Sequence, residues 1–168
     1  MRSPSYALGG GGRSGELGFY RQRKIWHPGE QVLARILRSW RQKKAPLAGA
    51  PRIRRQKTYS ARSGYVYQYF YEGQRPLERA GEPGIEFVFR VSSDRKTFFD
   101  VPVVLGEPAL AGWQQRQGRL LNSTERYAIA KMALFQAFDE RENPALMKLE
   151  VQVRAADVDA ILEALELD

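Results

Sequence analysis

The stretch from Asn122 to Glu142, NSTERYAIAKMALFQAFDERE, constrains this chain more than any other. Asn122 is a favourable helix N-cap, and Glu125 three residues on completes a capping box. Pro144 forces the helix to end by about Arg141 or Glu142, because the residue before a proline is driven out of helical dihedrals. Ala128, Ala130, Ala133 and Ala137 favour the helix between these limits. At about 100° per residue, Tyr127, Ala130, Leu134, Ala137 and Phe138 share a stripe. Ile129 and Met132 fall on the other side and Phe135 on a flank. A helix apolar nearly all round buries more than one side, so this one is expected to rest on a sheet and to touch a second helix. Lys131 lies inside the stripe. A desolvated lysine there would be a base or nucleophile. The commoner arrangement is a buried stem with its ammonium in water.

The flanking segments supply the sheet. Thr58 to Glu72 reads as the first strand, with Tyr65, Tyr67, Tyr69 and Tyr71 alternating onto one face. Gly73 to Gly84 reads as a loop. Ile85 to Ser92 alternates again, placing Ile85, Phe87, Phe89 and Val91 together, and the polar turn Ser93 to Lys96 makes a hairpin with Thr97 to Leu105. Pro102 lacks a ladder donor, which confines that part of the strand to an edge. Glu107 to Gly118 is a short helix, with Pro108 in its first turn, Leu110 and Trp113 inward and Gly118 as its stop. Leu146 to Arg154 alternates as a fourth strand. A last helix begins at Asp157, with Val158, Ile161, Leu162 and Leu165 in line. The expected fold is α+β: a three- to four-stranded, largely antiparallel sheet packed on one face by the long central helix and the C-terminal helix, over residues 58–168.

Charge divides the chain. Residues 1–63 hold 15 Lys and Arg against Glu16 and Glu30, a net of +13, whereas residues 64–168 hold 12 against 17 acids, a net of −5. Residues 1–57 therefore read as a basic, partly disordered extension. Within it an amphipathic helix near 29–44 carries Val32, Leu33, Ile36, Leu37 and Trp40 at helical spacing. Such a helix docks on its own domain, on anionic lipid or in a partner's groove. The glycine-rich start has no apolar region of the secretory kind; its arginine content also fits an organellar targeting segment or a start-site artefact.

Composition removes most chemistry. There is no cysteine and one histidine, His27, which leaves no basis for thiolate catalysis, histidine-cluster metal sites or a Ser–His–Asp triad. No phosphate-binding or dinucleotide motif occurs, so no cofactor is expected. No apolar run approaches the roughly 20 residues of a membrane span, and a cytoplasmic location is expected. Asp100, between Phe99 and Val101, needs a cation if its face is covered, with Lys131 or Arg126 as partners. The element order resembles that of double-stranded-RNA-binding domains. However, Asn122-Ser123-Thr124-Glu125 stand where those domains carry a Gly- and Lys-rich signature, so the chain is assigned to no family.

The leading expectation is a non-enzymatic nucleic-acid-associated protein. Arg35, Arg38, Arg41, Lys43, Lys44, Arg52, Arg54, Arg55 and Lys57 would hold phosphates. Tyr65, Tyr67 and Tyr69 would stack bases if their face is open. If it is covered, they are ordinary strand residues. The alternative is a protein-interaction module whose basic extension is a targeting segment or an artefact.

Overall fold

The computed structural model describes residues 44–165. Five strands form one sheet in chain order: β1 (Lys57–Ser60), β2 (Val66–Arg79), β3 (Glu82–Ser92), β4 (Phe99–Gly106) and β5 (Val151–Gln152). The first four are antiparallel and β5 joins β4 in parallel. Three helices follow the meander: α1 (Glu107–Gln117), α2 (Ser123–Glu140) and α3 (Ala155–Ala164). The fold is mixed α+β, with five strands in place of the expected three or four.

The extra strand comes from the tyrosine segment. Thr58 to Glu72 is not one strand: Ala61 to Tyr65 turn back, so that Tyr59 faces Tyr67 across β1 and β2. Nor is Gly73 to Gly84 a loop. β2 continues to Arg79, which pairs with Glu82 across a two-residue connection. Ala80 and Gly81 take φ of 55° and 86°, the left-handed sense that matches the twist of the flanking strands. Pro76 is tolerated because β2 past Gln74 has β3 as its only strand neighbour among the described residues. Pro102 likewise pairs with Val88 on one side and lies outside the short contact with β5.

The fourth strand is also smaller than its alternation implies. Pro144–Lys148 is a 3₁₀ turn, and β5 keeps two residues. Asn143 initiates the turn by accepting from the Ala145 N–H, and Met147 is buried beneath it. A side-chain cap followed at once by proline outweighs a period-two pattern only a few residues long.

The central helix forms as its caps dictate. Asn122 accepts from Thr124 and Glu125, the Glu125 carboxylate accepts from the Asn122 N–H, and Arg141 closes the far end. Gly118 ends α1 at φ 64°. Leu110 and Trp113 of α1 and Val158, Ile161 and Leu162 of α3 are buried with α2 in one cluster.

Aromatic rings make the join between α2 and the sheet. Phe135 stacks on Tyr59 with ring centroids 4.4 Å apart, and Phe138 on Tyr67 at 4.3 Å. Tyr69 meets Phe135 edge-on at 5.4 Å. Asp139 adds a polar latch, accepting from the Tyr59 hydroxyl at 2.9 Å and the Arg62 N–H at 2.8 Å. Phe138 is fully buried at the centre of this join. Phe138→Ala is expected to cost about 3–5 kcal/mol; equilibrium urea unfolding, read as a midpoint shift at constant slope, measures it.

Candidate nucleic-acid interface

The twelve residues expected to meet nucleic acid separate into four groups. Arg35, Arg38, Arg41 and Lys43 lie outside the described residues, as does nearly all of the amphipathic segment near 29–44. Lys44 and Arg54 are ion-paired: Lys44 Nζ stands 2.8 Å from Glu86, and Arg54 2.8 Å from Glu72. Arg52, Arg55 and Lys57 are exposed and have no acidic partner among the described residues. The tyrosines divide again. Tyr67 and Tyr69 are buried, their rings taken up by Phe138 and Phe135, so they form no platform for bases. Tyr65 is 41% exposed, beside Tyr67 at 6.4 Å.

What the fold assembles instead is a recess of about 420 Å³ between the segment 49–57, β2 and the start of α2. Tyr69, Phe70, Tyr71 and Tyr127 form its wall, and Ile53, Arg55 and Lys57 stand at its mouth. Local geometry explains the selection. Lys57 is in register with Tyr69, and side chains two apart in extended chain share a side. Ile53, Arg55 and Lys57 thus turn toward the recess while Arg54 turns to Glu72. Two cations are left over an aromatic wall with no carboxylate among the described residues that line it.

Tyr71 and Tyr127 meet at 4.9 Å with their rings inclined by 60°. Burial, with Tyr127 beside it, pushes the Tyr71 phenol up to about 12, and burial also raises that of Tyr127. Both hydroxyls therefore stay protonated at neutral pH and remain hydrogen-bond donors. The recess can accept a flat apolar group on its tyrosines and an anionic group at its mouth. Sequence reasoning missed Tyr71 and Tyr127 as site residues. Tyr127 belongs to the apolar stripe of α2, and nothing in a linear pattern shows that one end of that stripe emerges beside Tyr71.

The remaining candidates have structural roles. Asp100 is 63% exposed and faces Arg90 across β3 and β4, with its carboxylate 3.5 Å from Arg90 Nε. Lys131 and Arg126 are not its partners: its face of β4 points away from α2, and cross-strand register supplies the nearer cation. Arg126 instead pairs with Glu107 and donates to the Leu121 carbonyl at 3.1 Å. Lys131 holds its ammonium 5.7 Å from the centre of the Phe135 ring and is half-buried, an amphipathic stem laid along the helix. Among the described residues no group of acids or histidine has metal-ligating geometry, and no helix is long and apolar enough to cross a membrane.

These features define a mixed α+β protein with a basic-rimmed aromatic recess. No protein-family model, no curated protein and no solved structure matches the chain.

Two measurements check the assignments. The Tyr67 hydroxyl is buried without a hydrogen-bond partner among the described residues. Removing an unsatisfied buried polar atom relieves its desolvation cost, so Tyr67→Phe is expected to hold or raise stability by up to about 1 kcal/mol in urea unfolding. Glu86 is buried on β3. Burial raises its pKa, but hydrogen bonds from Arg75 and Lys44, with their charges, outweigh that and hold it below the ordinary value of 4.5. A depressed folded pKa stabilises fully above the unfolded value, and the contribution is lost as pH falls through the folded one. Between about pH 5 and pH 3, wild-type stability should fall more steeply than that of Glu86→Gln, read from urea midpoints across the range.

Proposed function

We propose that this is a non-enzymatic nucleic-acid-associated protein that engages single strands. The basic N-terminal arm and the segment 52–57 supply phosphate contacts, and the recess beside Tyr71 and Tyr127 receives an unstacked base. The observation that carries this reading is the position of Arg55 and Lys57, both without acidic partners among the described residues, at the mouth of an aromatic-walled recess. Unpaired bases stack on aromatic side chains while basic groups track the backbone. A duplex keeps its bases paired and offers such a recess nothing to stack. Arg52 lies in the same segment, exposed and likewise without an acidic partner among the described residues.

A second reading, a protein-interaction module, draws on Ile53. This isoleucine is 71% exposed at the recess mouth, where an apolar peptide side chain would cover it.

Fluorescence anisotropy of the full chain with a labelled single-stranded oligonucleotide separates the two. With about six phosphates engaged, log affinity should fall against log salt with a slope near −4 for a single strand. Arg55→Ala with Lys57→Ala should weaken binding and make that slope shallower by about 1 to 2. Tyr127→Leu should weaken binding while leaving the slope unchanged, because stacking releases no counterions. Binding with no salt dependence, or none at all, removes the nucleic-acid reading.

A further inference from the structure

All buried side chains of the three helices belong to one cluster, on one face of the sheet. Part of the opposite face is buried as well. Val88 and Val104 are 3% and 4% accessible and Glu86 is 1% accessible, yet none of the three belongs to that cluster. Register sets them side by side, with Glu86 facing Val104 across β3 and β4 and Arg75 facing Glu86 across β2 and β3. On the same face Phe70 stands opposite Arg90 and holds the ring of Phe98 at 5.7 Å. Two valines and two phenylalanines on a sheet face need a cover.

Among the described residues, the chain that reaches this face arrives from the N-terminal side. Lys44 bonds Glu86 at 2.8 Å. Ala48 exchanges two hydrogen bonds of 2.8 Å with Gln74. The backbone passes so close to Gly73 that a β-carbon there would lie 2.8 Å from the Ala48 carbonyl oxygen, and Gly73 takes φ 143°. The chain is thus fixed to the sheet immediately after the amphipathic segment.

We propose that residues 30–43 lie as a helix across this second face, with Val32, Leu33, Ile36, Leu37 and Trp40 covering Val88, Val104 and the Phe70–Phe98 pair. Three observations support the occupant. First, Lys44, which is bonded to the face, follows the last stripe residue, Trp40, by four positions, so the stripe ends about one helical turn from the point of attachment. Second, fourteen residues of helix span about 21 Å, enough to cross four strands spaced about 4.8 Å apart. Third, a segment tethered at Lys44 meets the face at an effective concentration that a separate chain rarely matches. In this arrangement Arg35, Arg38 and Arg41 turn to solvent. The sheet then lies between helices on both sides, and the arm presents a fixed row of cations. The arrangement stands whether or not nucleic acid binds.

The chain has no cysteine, so single cysteines report each position in the full-length protein. The variants are Leu37→Cys and Ile36→Cys on the stripe, with Arg35→Cys and Arg38→Cys on the outer side. Reaction with a thiol reagent under native conditions is expected to be at least about tenfold slower at the stripe positions. Hydrogen exchange of the unsubstituted protein provides the check that needs no variant: amides over 32–40 should exchange at least about tenfold slower than those of an unstructured chain. Equal thiol rates together with unprotected amides overturn the proposal. Protection that appears only as protein concentration rises also overturns it, because it assigns the face to a second copy.

Discussion

The fold depends on the stacking of two phenylalanines of α2 against the tyrosines of the β1–β2 hairpin. Phe135 and Phe138 lie face to face with Tyr59 and Tyr67, and Tyr69 closes the cluster edge-on. Such pairs contribute about 0.5–1.5 kcal/mol each beyond the area they bury. They also settle direction. Rings that face the helix cannot face a ligand, so the aromatic strand is core along most of its length and open only toward Tyr71. The Asp139 latch orients the same hairpin, holding both the Tyr59 hydroxyl and the Arg62 amide.

The second determining contact is the crossing of the chain at Gly73. Glu72 is the extra residue of a bulge in β2, and it turns out to meet Arg54. Gly73 follows at φ 143°, where only glycine lets the Ala48 carbonyl approach so closely. The bulge and the glycine together tie residues 44–57 along the sheet. The tie forms one end of the recess by holding Ala48 and Gly49 beside Gln74 and Tyr71, while the pairing of β1 with β2 sets Lys57 across from Tyr69 at the other. Buried Glu86 holds the upstream end through Lys44 and Arg75. One carboxylate between two cations is a costly arrangement unless all three remain partnered, which makes that end specific as well as firm.

Much of the architecture was legible before any coordinates. The capping box at Asn122, the stop at Gly118, the β3–β4 hairpin and the edge position of Pro102 follow from chemistry confined to a few neighbouring residues. The errors share a cause. The glycines and prolines from Gly73 to Gly84 look like breakers in sequence, yet Gly73 serves a close crossing, Pro76 an edge strand and Gly81 a two-residue turn. The alternation from Leu146 to Arg154 implies a longer strand than forms, because alternation does not reveal that Asn143 and Pro144 start a turn. Asp100 pairs with Arg90 and not with Lys131 or Arg126 because strand register, which the sequence pattern does not fix, sets Arg90 across from it.

The sequence by itself determined the elements with their own start and stop signals, the α+β class and the charge asymmetry between residues 1–63 and 64–168. These rest on local dihedral preferences, periodicity and charge counting, none of which needs to know what lies across the molecule. Only the tertiary structure decided which tyrosines are core and which border a recess, that Arg54 and Lys44 are paired while Arg55 and Lys57 have no acidic partner among the described residues, and that residues on both faces of the sheet are buried. Those outcomes depend on strand register and on segments far apart in the chain coming together. Contacts of that kind leave no periodic trace in a single sequence.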